Sequence, residues 1–294
     1  MARFSGWILA VLIIATMAAG GAGGSDRIPV AASIAPLADF ARQVGGDRVA
    51  VLVLVPPGAS PHTYEPKPSQ VRQVARARLL VLNGVGLEYW ADKLVRAAAS
   101  PHLRVVDTSR GVALLEGDSH GEHGHPRGNP HIWLDPRQAI LQVGHIRDAL
   151  LRADPPNATA YRANAARFVS ELEALDREIA AEIATWRRRE FIAFHPAWVY
   201  FARRYGLVQA AVIERSPGRE PSPAELARIV DTARRIGARA IFAELQFSPK
   251  AAEAIARESG ARVLFLDPLG ASLQDGGYLA LMRSNLVQMA QALR

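Results

Sequence analysis

The run DPPNATAYRANAARFVSELEALDREIAAEIATWRRR, residues 154–189, decides the architecture of this chain: after Pro155 and Pro156 it holds no further proline and no glycine. Its apolar residues Ala165, Phe168, Leu172, Leu175, Ile179, Ile183 and Trp186 recur every three or four positions, the spacing of a single helix face. Pro155 and Pro156 suit a helix start, where a missing N–H is harmless, and Arg187, Arg188 and Arg189 suit the negative end of the helix dipole. The pattern predicts one linking helix over 155–189, spanning roughly 50 Å. So long an uninterrupted helix is a stiff strut, which favours small adjustments of the bodies it joins over wide hinge motion.

On both sides of this run, short apolar stretches alternate with amphipathic ones, the pattern of βαβ units and parallel sheets. Strands are expected at 28–33, 48–55, 79–82 and 104–106, and again at 191–194, 208–213, 240–243 and 262–266. Helices are expected at 69–77, 87–98, 136–152, 223–235, 249–259 and 277–293. The reading is an α/β protein of two lobes, 25–154 and 190–294, each a mainly parallel sheet flanked by helices, with a cleft between them.

Composition narrows the function classes. Of 294 residues, 49% are hydrophobic and 21% charged, a globular balance that excludes a disordered chain or a multi-span membrane protein. The absence of cysteine excludes disulfides, a thiolate metal site, a cysteine nucleophile and a lipid anchor on cysteine. The net charge of +7 is carried by dispersed arginines without stacking aromatics among them, so no nucleic-acid partner is expected. At the start, Arg3, the apolar run 7–19 and the small residues 20–24 read as a signal peptide over 1–24, cleaved near 20–25. A membrane anchor is the alternative, but the run is short against the roughly 20 residues a bilayer needs. The expected compartment is a periplasm, with the mature chain free in it.

The candidate chemistry lies in histidines and carboxylates at strand exits. His62 follows the second expected strand within PPGASPHTYEP (56–66), and His131 lies in NPHIWLDP (129–136). His195 ends the strand 191–194 and precedes Pro196; Asp267 ends the strand 262–266 and precedes Pro268. In open parallel sheets ligands bind beyond the carboxyl ends of the strands, so two facing lobes can bring all four residues together. Three imidazoles and a carboxylate suit tetrahedral zinc and would leave no position for an activated water. Each residue also has a plainer reading: a hydrogen-bonded structural histidine, or an aspartate capping a helix. Glu65 and Asp135 either orient a ligand imidazole or cap the segments after them, and Glu244 is a reserve ligand. His102 and His145 read as surface or packing residues. The segment 116–128, glycine-rich and carrying His120, His123 and His125, reads as a mobile loop.

Taken together, ASIAPL (32–37), the His62 segment 56–68, NGVGLE (83–88), NPHIWLDP (129–136), FHPAW (194–198), IFAE (241–244) and LDPL (266–269) resemble the zinc- and manganese-binding solute-binding proteins of bacterial ABC importers, the ZnuA/TroA-like family (cluster A-I). The resemblance implies two α/β lobes joined by a long helix, with a metal between them held by His62, His131, His195 and Asp267. It implies a monomeric, non-enzymatic receptor that passes its ion to a membrane permease. Manganese-type members place a carboxylate where His195 stands, so a third imidazole points to Zn2+ over Mn2+ or Fe2+. Zinc-type members often carry a histidine loop before the second ligand, where 116–128 lies; it is a candidate capture loop. The competing class is a secreted zinc-dependent hydrolase, yet neither a His-Glu-x-x-His helix nor a Gly-x-Ser-x-Gly elbow is present. Nothing in these residues argues for cell adhesion, a role credited to some relatives.

Overall fold

The computed structural model describes residues 27–115, 128–215, 218–270 and 276–294; the expected signal peptide 1–24 and His120, His123 and His125 of the segment 116–128 lie outside the described residues. In chain order the first part comprises β1 (Ile28–Ala32), α1 (Ala35–Gly45), β2 (Val49–Val53), α2 (Pro68–Arg76), β3 (Leu79–Leu82), α3 (Ala91–Ala98) and β4 (Arg104–Asp107). Two long helices follow, α4 (Pro136–Ala153) and α5 (Ala158–Ala184). The second part comprises β5 (Glu190–Ala193), α6 (Val199–Tyr205), β6 (Val208–Val212), α7 (Pro223–Arg235), β7 (Ala240–Glu244), α8 (Lys250–Ser259), β8 (Arg262–Leu266) and α9 (Gly277–Leu293).

The strands form two parallel sheets of the same topology, β2-β1-β3-β4 and β6-β5-β7-β8. In each, the chain winds outward from the first strand and then crosses to its other side, so the topological switch falls between the first and third strands. Every residue of β3 and of β7 is buried, which is why both read as unbroken apolar runs rather than alternating ones. Glu244, at the end of β7, is the exception in chemistry and equally buried.

One hydrophobic core runs through both halves and includes Phe40, Leu80, Phe168, Phe191, Phe201 and Met282. A smaller one, with Ile192, Phe194, Ile213, Ile229, Ile241 and Ile255, fills the far side of the second sheet beneath α7 and α8. Helix α5 buries Tyr161, Ala165, Phe168, Leu172, Leu175, Ile179 and Ile183, the face that the spacing predicts. It is shorter than the 155–189 reading. A 3-10 turn occupies Pro155–Asn157, and the helix ends at Ala184, giving 27 residues or roughly 40 Å. Thr185 turns its hydroxyl onto the Glu182 carbonyl, a local bond that competes with helix propagation. Arg187–Arg189 therefore lie past the helix, where the Arg188 N–H donates to the Leu293 carbonyl.

Helix α5 packs against α1 and α4 on one side and α6 and α9 on the other. A polar knot reinforces it: Asp176 accepts from Arg204 Nε and Nη2 at 2.5 Å each and from the Tyr205 hydroxyl at 2.9 Å. Burial pushes the Asp176 carboxyl up, but the Arg204 and Tyr205 hydrogen bonds outweigh it and hold the group below the usual carboxylate range. Helix α9 returns to the first half. The Tyr278 N–H donates to Asp39 on α1, its hydroxyl donates to the Trp133 carbonyl, and its ring meets Phe40 edge-on. Among the described residues, no helix is long and apolar enough to cross a membrane.

Helix α3 starts at Ala91, later than the expected 87. Gly84, Val85 and Gly86 all have positive φ (87°, 55° and 79°), and the Glu88 carboxylate accepts the Asn83 and Gly84 N–H groups. These residues form a loop that a helical backbone could not make.

Candidate metal centre

Each of the three clustered histidines is placed by a short segment beyond a sheet. His62 sits in a turn after β2, closed by the Thr63 N–H on the Ser60 carbonyl. His131 precedes the 3-10 turn Ile132–Leu134, and His195 follows β5 and precedes the turn Pro196–Trp198. His131 and His195 are buried, and His62 is half-buried. Their Nε2 atoms converge: His131 Nε2 lies 3.1 Å from His62 Nε2 and 3.0 Å from His195 Nε2, and all three ligand atoms fall within 4.8 Å of one another.

The hydrogen bonds on the far sides of the rings determine what those nitrogens present. Asn129 Oδ1 accepts the His131 backbone N–H at 3.0 Å, so the atom there is an oxygen. The same oxygen lies 2.9 Å from His131 Nδ1, which must therefore carry the ring proton. His195 Nδ1 faces Glu244 Oε1 at 2.7 Å and donates to it by the same logic. In the neutral imidazoles both Nε2 atoms then bear lone pairs, aimed at each other across 3.0 Å. Such an arrangement calls for an electrophile between them. Tetrahedral zinc, with Zn–N near 2.0–2.1 Å, sets its nitrogen ligands about 3.3–3.4 Å apart, so the His131–His62 and His131–His195 pairs need to open by only a few tenths of an ångström. The pocket they line, with Ser60, Pro61, Trp133, Glu244, Gln246, Phe247, Pro268 and Leu269, has room for about one water-sized particle.

Asp267 ends β8 beside Pro268 and Leu269 of that lining. Its backbone is fixed from α9, where Asn285 accepts its N–H and donates to its carbonyl, and Oδ1 accepts from the Leu269 and Gly270 N–H groups. Trp133 ties this corner to the His131 turn: its ring lies 5.3 Å from that of His131, and Nε1 donates to the Pro268 carbonyl at 2.7 Å. The second sheet adds negative charge beneath His195. Besides Glu244, Glu214 is buried, and burial pushes its carboxyl above the usual range against the pull of a Gly218 N–H and of His195.

The remaining candidates lie elsewhere. Asp135 caps α4 by accepting the Arg137 N–H and stands 3.4 Å from Arg204. Glu65 is exposed near Tyr89, His102 is exposed, and His145 contacts the Arg110 carbonyl. Asn129 is the residue that sequence reasoning left without a role. Its place two positions before His131, in an Asn-Pro-His run, is the available signal, since a short side-chain carbonyl there can turn back onto both the backbone and the ring. Phe247, which stacks on Phe194 and meets the His195 ring edge-on, carries no such signal.

Residues 30–292 match the sequence profile of the family described as ZnuA, zinc-uptake complex component A, periplasmic. The chain belongs to the ZnuA family. It is 30% identical over 282 residues to the high-affinity zinc uptake system protein ZnuA of Bacillus subtilis, covering 91% of this chain and 88% of that one. It is 31% identical over 278 residues to the zinc-binding lipoprotein AdcA of Streptococcus pneumoniae, covering 90% of this chain. The chain spans only about half of AdcA's length, 56%. A crystal structure of a ZnuA superposes with a TM-score of 0.82 at 39% identity, covering 91% of this chain and 99% of the other. AdcA has itself been solved in a Zn(II)-bound form. The two parallel sheets and the long helix are thus the ZnuA fold, and the three-histidine cluster is a group that could hold a metal ion.

Proposed function

We propose that this chain is a periplasmic receptor that captures Zn2+ on His62, His131, His195 and Asp267 and delivers it to the membrane permease of an ATP-driven importer. One observation carries the reading: Asn129 and Glu244 hold two rings by Nδ1, so that their Nε2 lone pairs converge with His62 on a single point between the sheets. Lobes 25–154 and 190–294 supply two ligands each, and α5 sets their spacing. With four protein ligands the tetrahedral shell is complete, no site remains for an activated water, and the protein carries the ion without catalysing a reaction. Three nitrogen donors favour zinc over the harder, oxygen-preferring manganese, and the names of the zinc-uptake relatives support that choice. In this reading the chain acts as a monomer after removal of its signal peptide, and His120, His123 and His125 form an auxiliary capture loop.

Metal analysis of the purified mature protein tests the assignment. Stoichiometric zinc is expected in the wild type and in His102→Ala and His145→Ala, and is expected to be lost from His62→Ala, His131→Ala, His195→Ala and Asp267→Ala. Retention of zinc in those four variants would overturn the ligand set. A competitive titration in which manganese displaces equimolar zinc would overturn the choice of metal.

A further inference from the structure

The topological switch point of the second sheet is occupied by His195 and Glu244, part of the metal centre. The matching point of the first sheet is occupied by a different buried pair, Ser33 after β1 and Glu88 after β3, with the Ser33 hydroxyl donating to Glu88 Oε1 at 2.5 Å. Glu88 also accepts the Asn83 and Gly84 N–H groups at 2.7 and 3.1 Å. It thereby clamps a loop with three successive left-handed residues, one of them the β-branched Val85 at φ 55°, a conformation such residues adopt only when their surroundings impose it.

This clamped loop grips both first-lobe histidine segments. At its start, Asn83 Nδ2 donates to the Pro130 carbonyl at 2.8 Å, one residue before His131, while Gln142 of α4 fixes the Asn83 oxygen. At its end, the Tyr89 hydroxyl donates to the Tyr64 carbonyl at 2.9 Å, two residues after His62, and the Trp90 ring meets the Tyr64 ring edge-on at 5.8 Å. We infer that Glu88, Asn83 and Tyr89 are positioning residues for metal capture, forming a rigid bracket that sets the spacing of His62 and His131 before the ion arrives. The inference rests on the zinc-receptor reading. Neither Glu88 nor Tyr89 touches the ion; they act by fixing the backbones that carry its ligands, so that less ordering remains to be done on binding.

Chelator-competition titration of zinc into the whole protein tests the bracket, alongside melting of the metal-free forms. Tyr89→Phe removes one exposed hydrogen bond and is expected to lower the metal-free melting curve by no more than about 2–4 °C while weakening zinc by up to about fivefold. Asn83→Ala should weaken it at least as much, and Glu88→Gln more than either. The decisive comparison uses His62→Ala, which keeps His131, His195 and Asp267: in that background Tyr89→Phe should have no further effect, whereas Asn83→Ala still should. Unchanged zinc affinity in Tyr89→Phe, or an equal loss with and without His62, overturns the bracket. Full zinc retention by His62→Ala and His131→Ala would instead overturn the receptor reading beneath it.

Discussion

Replacing Glu244 separates the two things that a buried carboxylate behind a ligand imidazole can do. Glu244 is 1% exposed, and its 2.7 Å bond to His195 Nδ1 fixes the ring and would place negative charge beneath a cation bound there. Glu244→Gln keeps an oxygen able to accept from Nδ1–H but removes the charge, whereas Glu244→Ala removes both. A hydrogen bond to a charged group contributes about 1.5–3 kcal/mol. At about 1.4 kcal/mol per decade, that is roughly a 10- to 150-fold loss of zinc affinity, in line with the roughly 10- to 100-fold usual for partners of this kind. Glu244→Ala should fall in this range and Glu244→Gln between it and the wild type. The same loss is readable as heat stability. Zinc at about 1,000 times the wild-type dissociation constant stabilises the fold by about 4 kcal/mol, or about 8–16 °C in a chain of this size. A 30-fold weaker variant at the same zinc concentration loses about 2 kcal/mol of that, or about 4–8 °C. Isothermal titration with chelator competition gives the affinity, and scanning calorimetry gives the shift. Zinc affinity within twofold of wild type in Glu244→Ala would refute the reasoning, because His195 would then need no partner on its Nδ1 side.

Further outcomes follow from other parts of the structure. Protons compete with zinc for the imidazole lone pairs, so zinc affinity should fall with decreasing pH, as measured by titrations at stepped pH. Asp176 is held below its ordinary range in the folded chain, so its contribution to stability is present above the ordinary aspartate range and is lost as pH falls through the lowered folded value. Asp176→Asn should therefore melt earlier at neutral pH and lose part of the acid sensitivity of the wild-type curve. Phe168→Ala empties a fully buried site on α5 within the core common to both sheets, and should cost about 3–5 kcal/mol in a denaturant titration.

What the sequence made legible follows from how local each signal is. Among the described residues all eight expected strands are present, because short apolar runs between turn residues are a local signal; in β3 and β7, buried throughout, the run is unbroken. His62 and His195 are likewise visible as polar residues at strand exits, and His131 through its proline-flanked run NPHIWLDP (129–136). The length of α5 was overread, since nothing in the periodicity of 154–189 announces that Thr185 will turn onto a backbone carbonyl. The start of α3 was overread for a related reason: Leu87–Trp90 are acceptable helix formers, and only the tertiary bonds of Glu88 reveal the loop. Asn129 and Glu244 show the same limit at the site itself. Their residue types were on view, but which ring atom each would hold depends on contacts across 49 residues for Glu244 and on a tight backbone reversal for Asn129.

The final helix has a consequence for when the ion can first be held. Through Asn285 it fixes the backbone of Asp267, and through Tyr278 it touches both Asp39 and the carbonyl of Trp133. In the proposed ligand set, a chain emerging amino end first holds Asp267 in place only once α9 has been made and docked. Removing α9 would therefore leave Asp267 without its backbone anchor and weaken capture of the ion.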